Sequence, residues 1–446
     1  MLFYSKLNKL NFRPIVRNIG AYFCVLFLFF SIVRLMNFYR FLPSSINITV
    51  FGLLALCGLC GAAINFVFNF KCQNKFLIFF WLSILVSCVL RMRYGFIENL
   101  KELIWYAIDF FLLYQIRDNK HLLDVIKKIT TMSFLVITFL SLVTYVIQLN
   151  FYVEIEPNDP LLHEDDFRFG FIENRLFGLF SNPNSASTAT FISILFLFEE
   201  LTKSKIFSCK FWQNIIFIFI QFTYIILAGS RTVFLAMILN IFIASWGYIR
   251  SLKEISKSKR PLIISMLLSF LCCVFFCFFC TFFKKILSFL PCLFNANIKK
   301  INTERIDIKT SGDISNLRFS IWLSAIEIFK KAWLFGTSPK NLIMYANDVI
   351  PNTFMVRLKY RMVHNTYIEI FVYTGIIGAC CFYPFIIKNG SKLLKILSEF
   401  ISRIKNVNIQ TRTAMFAVFS IAIFGFFEPG IIFSSNILTF FLWLFV

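Results

Sequence analysis

The sequence holds three histidines in 446 residues, and one of them, His364, opens the long apolar run "VHNTYIEIFVYTGIIG", Val363 to Gly378. A helix starting there places the imidazole in its first turn, where the positive end of the helix dipole disfavours imidazolium. A neutral imidazole near pH 7 is suited to taking a proton from a hydroxyl. Arginines stand at comparable breaks. Arg231 lies in "AGSR", the only interruption of the apolar stretch 211–249. As one helix that stretch would run to about 60 Å, so it has to turn at the arginine. Arg318 precedes a Trp in "NLRFSIWLSAIEIFKK", and Arg175 precedes "LFGLFSNPNSAS". Guanidinium forks match phosphate oxygens. Arginines with a neutral histidine fit displacement at a carbon that bears a diphosphate leaving group, the growing negative charge being held by the guanidiniums.

Each residue also has a plainer reading. His364 can be an interfacial histidine bonded to a neighbour or to water. Arg231 can be a snorkelling anchor, although a cation at a helix centre costs about 2.5 to 3.5 kcal/mol. Arg318 can sit on the solvated face of its helix. Asn182 can cap a helix that has Pro183 in its first turn, and the small residues Ser185 to Ala189 can serve close helix packing. These alternatives stay open on the residues alone. The candidate site comprises His364, Arg318 and Arg231 as catalytic groups, with Arg175, Asn182 and Asn365 as substrate-binding groups. No H-E-x-x-H, P-loop or His/Cys zinc spacing occurs in the sequence, so no metal and no cofactor are expected. The run Glu164-Asp165-Asp166 can hold a divalent cation, but a solvated acidic face is the commoner meaning of such a run.

The elements that position these groups are membrane spans. Hydrophobic residues make up 58% of the chain and charged ones 15%, with a mean hydropathy of +0.74, outside the range of a water-soluble domain. Runs such as 46–68, 132–153, 262–283 and 365–387 reach the roughly 20 residues that cross about 30 Å of hydrocarbon, and lipid allows such runs only as helices. The expected fold is all-α, a single polytopic membrane domain over 1–446. It has about twelve spans near 18–36, 46–70, 76–91, 100–116, 132–153, 186–201, 211–228, 231–249, 262–283, 364–387, 411–427 and 431–446. The basic start of the chain, with Lys6, Lys9, Arg13 and Arg17, is read as leading into a retained first helix.

A net charge of +22 would suggest nucleic acid in a soluble protein. Here the basic residues fall in alternate short connections, which the positive-inside rule puts in the cytoplasm. No nucleic-acid partner is therefore expected, and an even number of spans puts both termini on the cytoplasmic side. The 13 cysteines lie mostly inside spans. The pairs Cys57/Cys60 and Cys277/Cys280 read as packing residues, not as redox or zinc motifs.

Two outer connections stand apart. Residues 154–185 are acidic, and residues 284–363 form an extended loop with thirteen Lys or Arg against five acids. In that loop an amphipathic helix is expected, with Leu317, Ile321, Ala325, Ile328 or Phe329, and Ala332 on one face. Asp313 or Ser315 can cap its start, and Gly336 with Pro339 marks its end. It should lie on the outer interface.

Four stretches, "RLFGLFSNPNSA", "LAGSRTVFLA", "NLRFSIWLSAIEIFKKAWLFGTSPKN" and "VHNTYIEIFVYTGIIG", in this order with a long outer loop before the last, resemble the O-antigen ligase and O-antigen polymerase family of bacterial envelope enzymes. The resemblance implies an integral membrane glycosyltransferase of the bacterial inner membrane with its active site facing the periplasm or exterior. It implies an undecaprenyl-diphosphate-linked glycan as donor, a lipid-linked repeat unit or lipid A core as acceptor, and no metal. By motif position, Arg231 and Arg318 would grip the diphosphate and His364 would activate the acceptor hydroxyl. "GTSPKN" departs from the more usual second glycine of a G-x-G string, which bears on the shape of that turn. Polymerase is favoured over ligase, because the excess of Phe, Lys and Asn suggests an AT-rich polysaccharide cluster. A chain-length regulator is a further expected partner. A lipid-linked oligosaccharide flippase is the competing class, but it would be expected to have pseudo-repeated halves.

Overall fold

The computed structural model describes residues 13–69, 74–154, 167–252, 255, 258, 260–294, 300–304, 317–360, 362–402, 404 and 407–446. The acidic run Glu164–Asp166, the proposed caps Asp313 and Ser315, and Lys6 and Lys9 lie outside the described residues.

The chain is mostly helical. In order it forms α1 (Arg13–Arg34), α2 (Ser44–Phe68), α3 (Lys75–Leu90), α4 (Phe96–Ile108) and α5 (Lys120–Val146). Next come strands β1 (Phe151–Val153), β2 (Phe167–Ile172) and β3 (Arg175–Gly178), then α6 (Pro183–Lys203), α7 (Cys209–Ala228), α8 (Arg231–Arg250) and α9 (Pro261–Leu287). Short helices α10 (Leu290–Phe294), α11 (Arg318–Lys331), α12 (Leu342–Val349) and α13 (Phe354–Arg357) lead into α14 (Thr366–Ser402), α15 (Ile409–Gly425) and α16 (Ile437–Phe445).

Among the described residues six helices are long and apolar enough to cross a membrane, namely α2, α5, α7, α8, α9 with its extension to Phe294, and α14. Three more, in α1, α3 and α15, are apolar but shorter. The twelve spans expected from hydropathy are thus not all full-length helices. The last run shows why. α16 has nine residues, a rise of about 13 Å, which covers less than half of the hydrocarbon. Its residues Phe440, Phe441 and Trp443 are buried among Phe27, Phe110, Phe196 and Phe385. A helix apolar on every side is here a core element. α9 is the opposite case, with Phe270, Phe275, Phe278 and Phe282 exposed, as suits a helix facing lipid.

The strands also depart from the all-α expectation. β1, β2 and β3 form an antiparallel sheet in that order. β2 and β3 are joined by Glu173 and Asn174, both with φ near +55° to +60°, the backbone of a two-residue hairpin turn. Phe, Ile, Leu and Val in short runs fit a half-buried pleated surface, but the acidic composition of 154–185 masked them. The sheet is anchored by Asn37, whose amide donates to the carbonyls of Arg168 at 2.7 Å and Phe180 at 2.9 Å.

α14 is interrupted. Gly375 has φ 65° and ψ −169°, so a helix from Thr366 breaks there and resumes. The groups freed by the break are taken up by the turn after α11. Thr337 N–H donates to Val372 O at 2.9 Å, Ser338 N–H to Tyr373 O at 3.0 Å, and Ile376 N–H to Trp333 O at 2.8 Å. Buried peptide groups need partners, and irregular backbone at membrane depth is tolerated where protein covers it. The "GTSPKN" turn is the other half of this joint.

Candidate functional site

The expected amphipathic helix exists as α11. Its buried residues Ile321, Ser324, Ala325 and Ile328 follow helical spacing, and the helix packs on α14. Arg318 is its first residue. The Arg318 Nη2 lies 3.8 Å from Glu428 Oε1, with their side chains 18% and 11% exposed, and the guanidinium lies 5.7 Å from the Phe427 ring centroid. One turn further on, Trp322 Nε1–H donates to the His364 carbonyl at 3.4 Å, and its ring stands 6.4 Å from Phe427. One helix therefore carries the arginine and holds the histidine's backbone.

His364 does not occupy the first turn of α14. That helix starts at Thr366, and Asn365 caps it, its Oδ1 accepting from Tyr367 N–H at 3.0 Å and Ile368 N–H at 3.1 Å. The better capping side chain takes the cap position and leaves His364 before the helix with φ +53°. Its Nδ1 is buried. Asn182 is likewise a cap, accepting from Asn184 N–H at 2.9 Å and Ser185 N–H at 3.3 Å at the start of α6. The oxygens of both asparagines hold helix starts, which orients their neighbours.

Arg175 begins β3. Its Nε–H donates to the Ala228 carbonyl at 2.9 Å and its Nη2 to Asn184 Oδ1 at 2.6 Å. Ala228 ends α7, and Arg231 starts α8 after a two-residue connection, the turn expected at "AGSR". Arg175 thus ties the hairpin to the α7–α8 turn and to the α6 start.

Glu428 links these parts. It lies between α15 and α16, in a stretch fastened to α14. Thr366 Oγ1 donates to Glu428 O at 3.2 Å and Gly430 N–H donates to Glu369 Oε2 at 2.8 Å. Burial pushes the Glu428 carboxyl up to about 7, while the charges of Arg318 and Arg175 pull it down. His364, Arg318, Arg175 and the α7–α8 turn are so brought to one end of the bundle around an acid that motif reasoning passed over. Its signal was "FFEPG", a carboxylate followed by Pro-Gly between two apolar runs that could not otherwise be one helix.

The raised carboxyl has a stability consequence. With a folded-state value near 7 against about 4.3 in the unfolded chain, the folded state binds more protons between these values. Stability then falls as pH rises through that window and levels off above it. Glu428→Gln is expected to flatten this decline, an effect on the order of a few kcal/mol. Thermal melting in detergent from pH 4.5 to 8 checks it; an unchanged slope refutes it.

Among the described residues no group of three or more His, Cys, Asp or Glu is placed to hold a metal. Residues 216–383 match the family model described as O-antigen ligase, a region that contains Arg231, Arg318 and His364 but not Arg175, Asn182 or Glu428. No curated protein matches the chain. Over these residues, which make up less than half of the chain, the protein is similar to the O-antigen ligase family, and its described residues include six helices long and apolar enough to cross a membrane.

Proposed function

We propose that this protein is a polymerase of lipid-linked glycans. In this reading it transfers a saccharide chain from an undecaprenyl-diphosphate carrier to a sugar hydroxyl of another lipid-linked repeat unit, on the outer face of the bacterial inner membrane. The observation that carries the reading is the double role of α11, which sets Arg318 against Glu428 and holds His364 through Trp322. Arg318 and Arg231 grip the diphosphate. His364 accepts the proton of the acceptor hydroxyl as that oxygen bonds to the anomeric carbon. The bond from that carbon to the diphosphate oxygen breaks, and its electron pair leaves with the diphosphate, where the guanidiniums stabilise the charge. Glu428 keeps Arg318 oriented until the substrate's phosphate competes for it. Asn182, Asn365 and Arg175 shape the surrounding wall. The reaction needs no metal in this scheme. The donor, the acceptor and a chain-length regulator are the partners.

Ligase activity, transfer of the finished chain to lipid A core, is the second reading, favoured by the family description matched at residues 216–383. Surface polysaccharide from a strain lacking the protein separates the two. Core bearing one repeat unit supports a polymerase, whereas bare core with chains left on the carrier supports a ligase. Unaltered banding overturns both.

Arg231→Lys tests the fork. Lysine keeps the charge and loses bidentate geometry, so transfer in detergent with lipid-linked repeat units is expected to fall about 100-fold or more. Wild-type rates would mean that charge alone suffices.

A further inference from the structure

A cavity of about 390 Å³ lies where α9 ends. Its walls are Thr281, Lys284, Lys285 and Ser288 on one side and the segment Lys300 to Glu304 on the other. The two sides are fastened together. Ile301 N–H donates to Ser288 O at 3.1 Å, and Lys300 Nζ stands 4.9 Å over the Phe289 ring. The far wall is held to the sheet, since Asn174 at the hairpin tip donates its amide to Glu304 O at 2.6 Å. The next residue in the chain is Arg175, which is fixed on the α7–α8 turn. The cavity and the site described above are therefore neighbours across one hairpin.

The lining holds three lysines, Lys284, Lys285 and Lys300, against one acid, Glu304; the hydroxyls of Thr281 and Ser288 donate to carbonyls of their own helix, Cys277 O at 2.9 Å and Lys285 O at 2.6 Å. Lysine at the end of an apolar helix can simply snorkel. That explanation covers Lys284 and Lys285, at the end of α9, but not Lys300, which belongs to a separate segment stapled back over the same opening. Ammonium point charges gathered from two separate segments around one opening fit a phosphate ester.

We propose that this cavity is an anion subsite for a phosphate-ester group, distinct from the one formed by Arg318 and Arg231. The binding does not depend on the glycosyl-transfer reading. Its use, holding a phosphate of the acceptor or of its lipid beside the transfer site, does rest on that reading.

The test uses the full-length protein in neutral detergent with three probes: short-chain phosphatidic acid, short-chain phosphatidylcholine and inorganic phosphate. Binding is followed by thermal shift and by native mass spectrometry. Phosphatidic acid is expected to bind, and Lys285→Gln/Lys300→Gln to weaken it about tenfold, whereas Lys285→Arg/Lys300→Arg retains it. Inorganic phosphate competing equally well supports the subsite and points to a phosphate on a saccharide. Competition by phosphatidic acid alone supports it and points to a lipid headgroup. Equal binding by the wild type and the glutamine variant, no binding of phosphatidic acid, or equal binding of phosphatidylcholine overturns it. None of these readouts requires transfer activity, so failure here leaves the transfer reading standing, and inactivity in transfer leaves the subsite standing.

Discussion

His364→Ala and Arg318→Ala are each expected to abolish polysaccharide extension while the protein remains at normal levels in the membrane. A positioned general base contributes about 10²- to 10⁴-fold, and removing one group that stabilises a developing anion costs about 10²- to 10³-fold. In a process that repeats transfer many times, either loss leaves no long chains. The fold should survive both changes. His364 precedes its helix, and Asn365, not the histidine, makes the cap. Arg318→Ala removes the partner of a buried acid, but Glu428, with a value already near 7, can take up a proton in place of the lost ion pair. Gel profiles of surface polysaccharide, with immunoblots of the membrane fraction, check this. Normal-length chains from either variant would overturn the assigned roles.

Gly375→Ala is expected to lower the amount of folded protein, a structural effect as large as the catalytic ones. A methyl group at Gly375 would lie 2.3 Å from Leu334 O and 2.4 Å from Leu334 C, on a backbone with φ +65°. The converse contact is as tight, since a methyl at Gly336, with φ +74°, would lie 2.4 Å from Tyr373 C and O. The obstacles are main chain and cannot rotate away. Backbone strain of about 1 to 3 kcal/mol adds to overpacking of about 1 to 3 kcal/mol, and the hydrogen bonds across the joint would be stretched as well. Melting in detergent should show a large drop for Gly375→Ala and for Gly336→Ala. By contrast Gly52→Ala, where nothing lies within 4 Å of an added methyl, should melt as the wild type. Equal melting of all three would refute the joint.

The membrane class, the turn at Arg231 and the apolar face of α11 were legible because each follows from a local rule: hydropathy, length against bilayer thickness, and helical spacing. The same rules failed where burial inside the protein imitates burial in lipid. α16 reads as a span, yet Phe440 and Trp443 face other helices. The sheet went unseen because its strands are three to six residues long and sit in an acidic connection. At the site the sequence offered arginines and a histidine by type, but not Glu428, which belongs to the site through contacts with residues more than 60 positions away. The Gly336–Gly375 joint was hidden for the same reason. "GTSPKN" looked irregular in isolation, and its geometry is dictated by the break in a distant helix.

The joint has a mechanical outcome. With the turn after α11 sewn to α14 by main-chain bonds on both sides of Gly375, the element that bears Arg318 and the element that follows His364 travel as one rigid jaw. In the proposed reaction a donor as bulky as a lipid-anchored saccharide has to get in and its spent carrier has to get out. If the joint stays closed through that passage, the opening has to come from elements outside it, and the backbone that carries imidazole and guanidinium keeps its spacing.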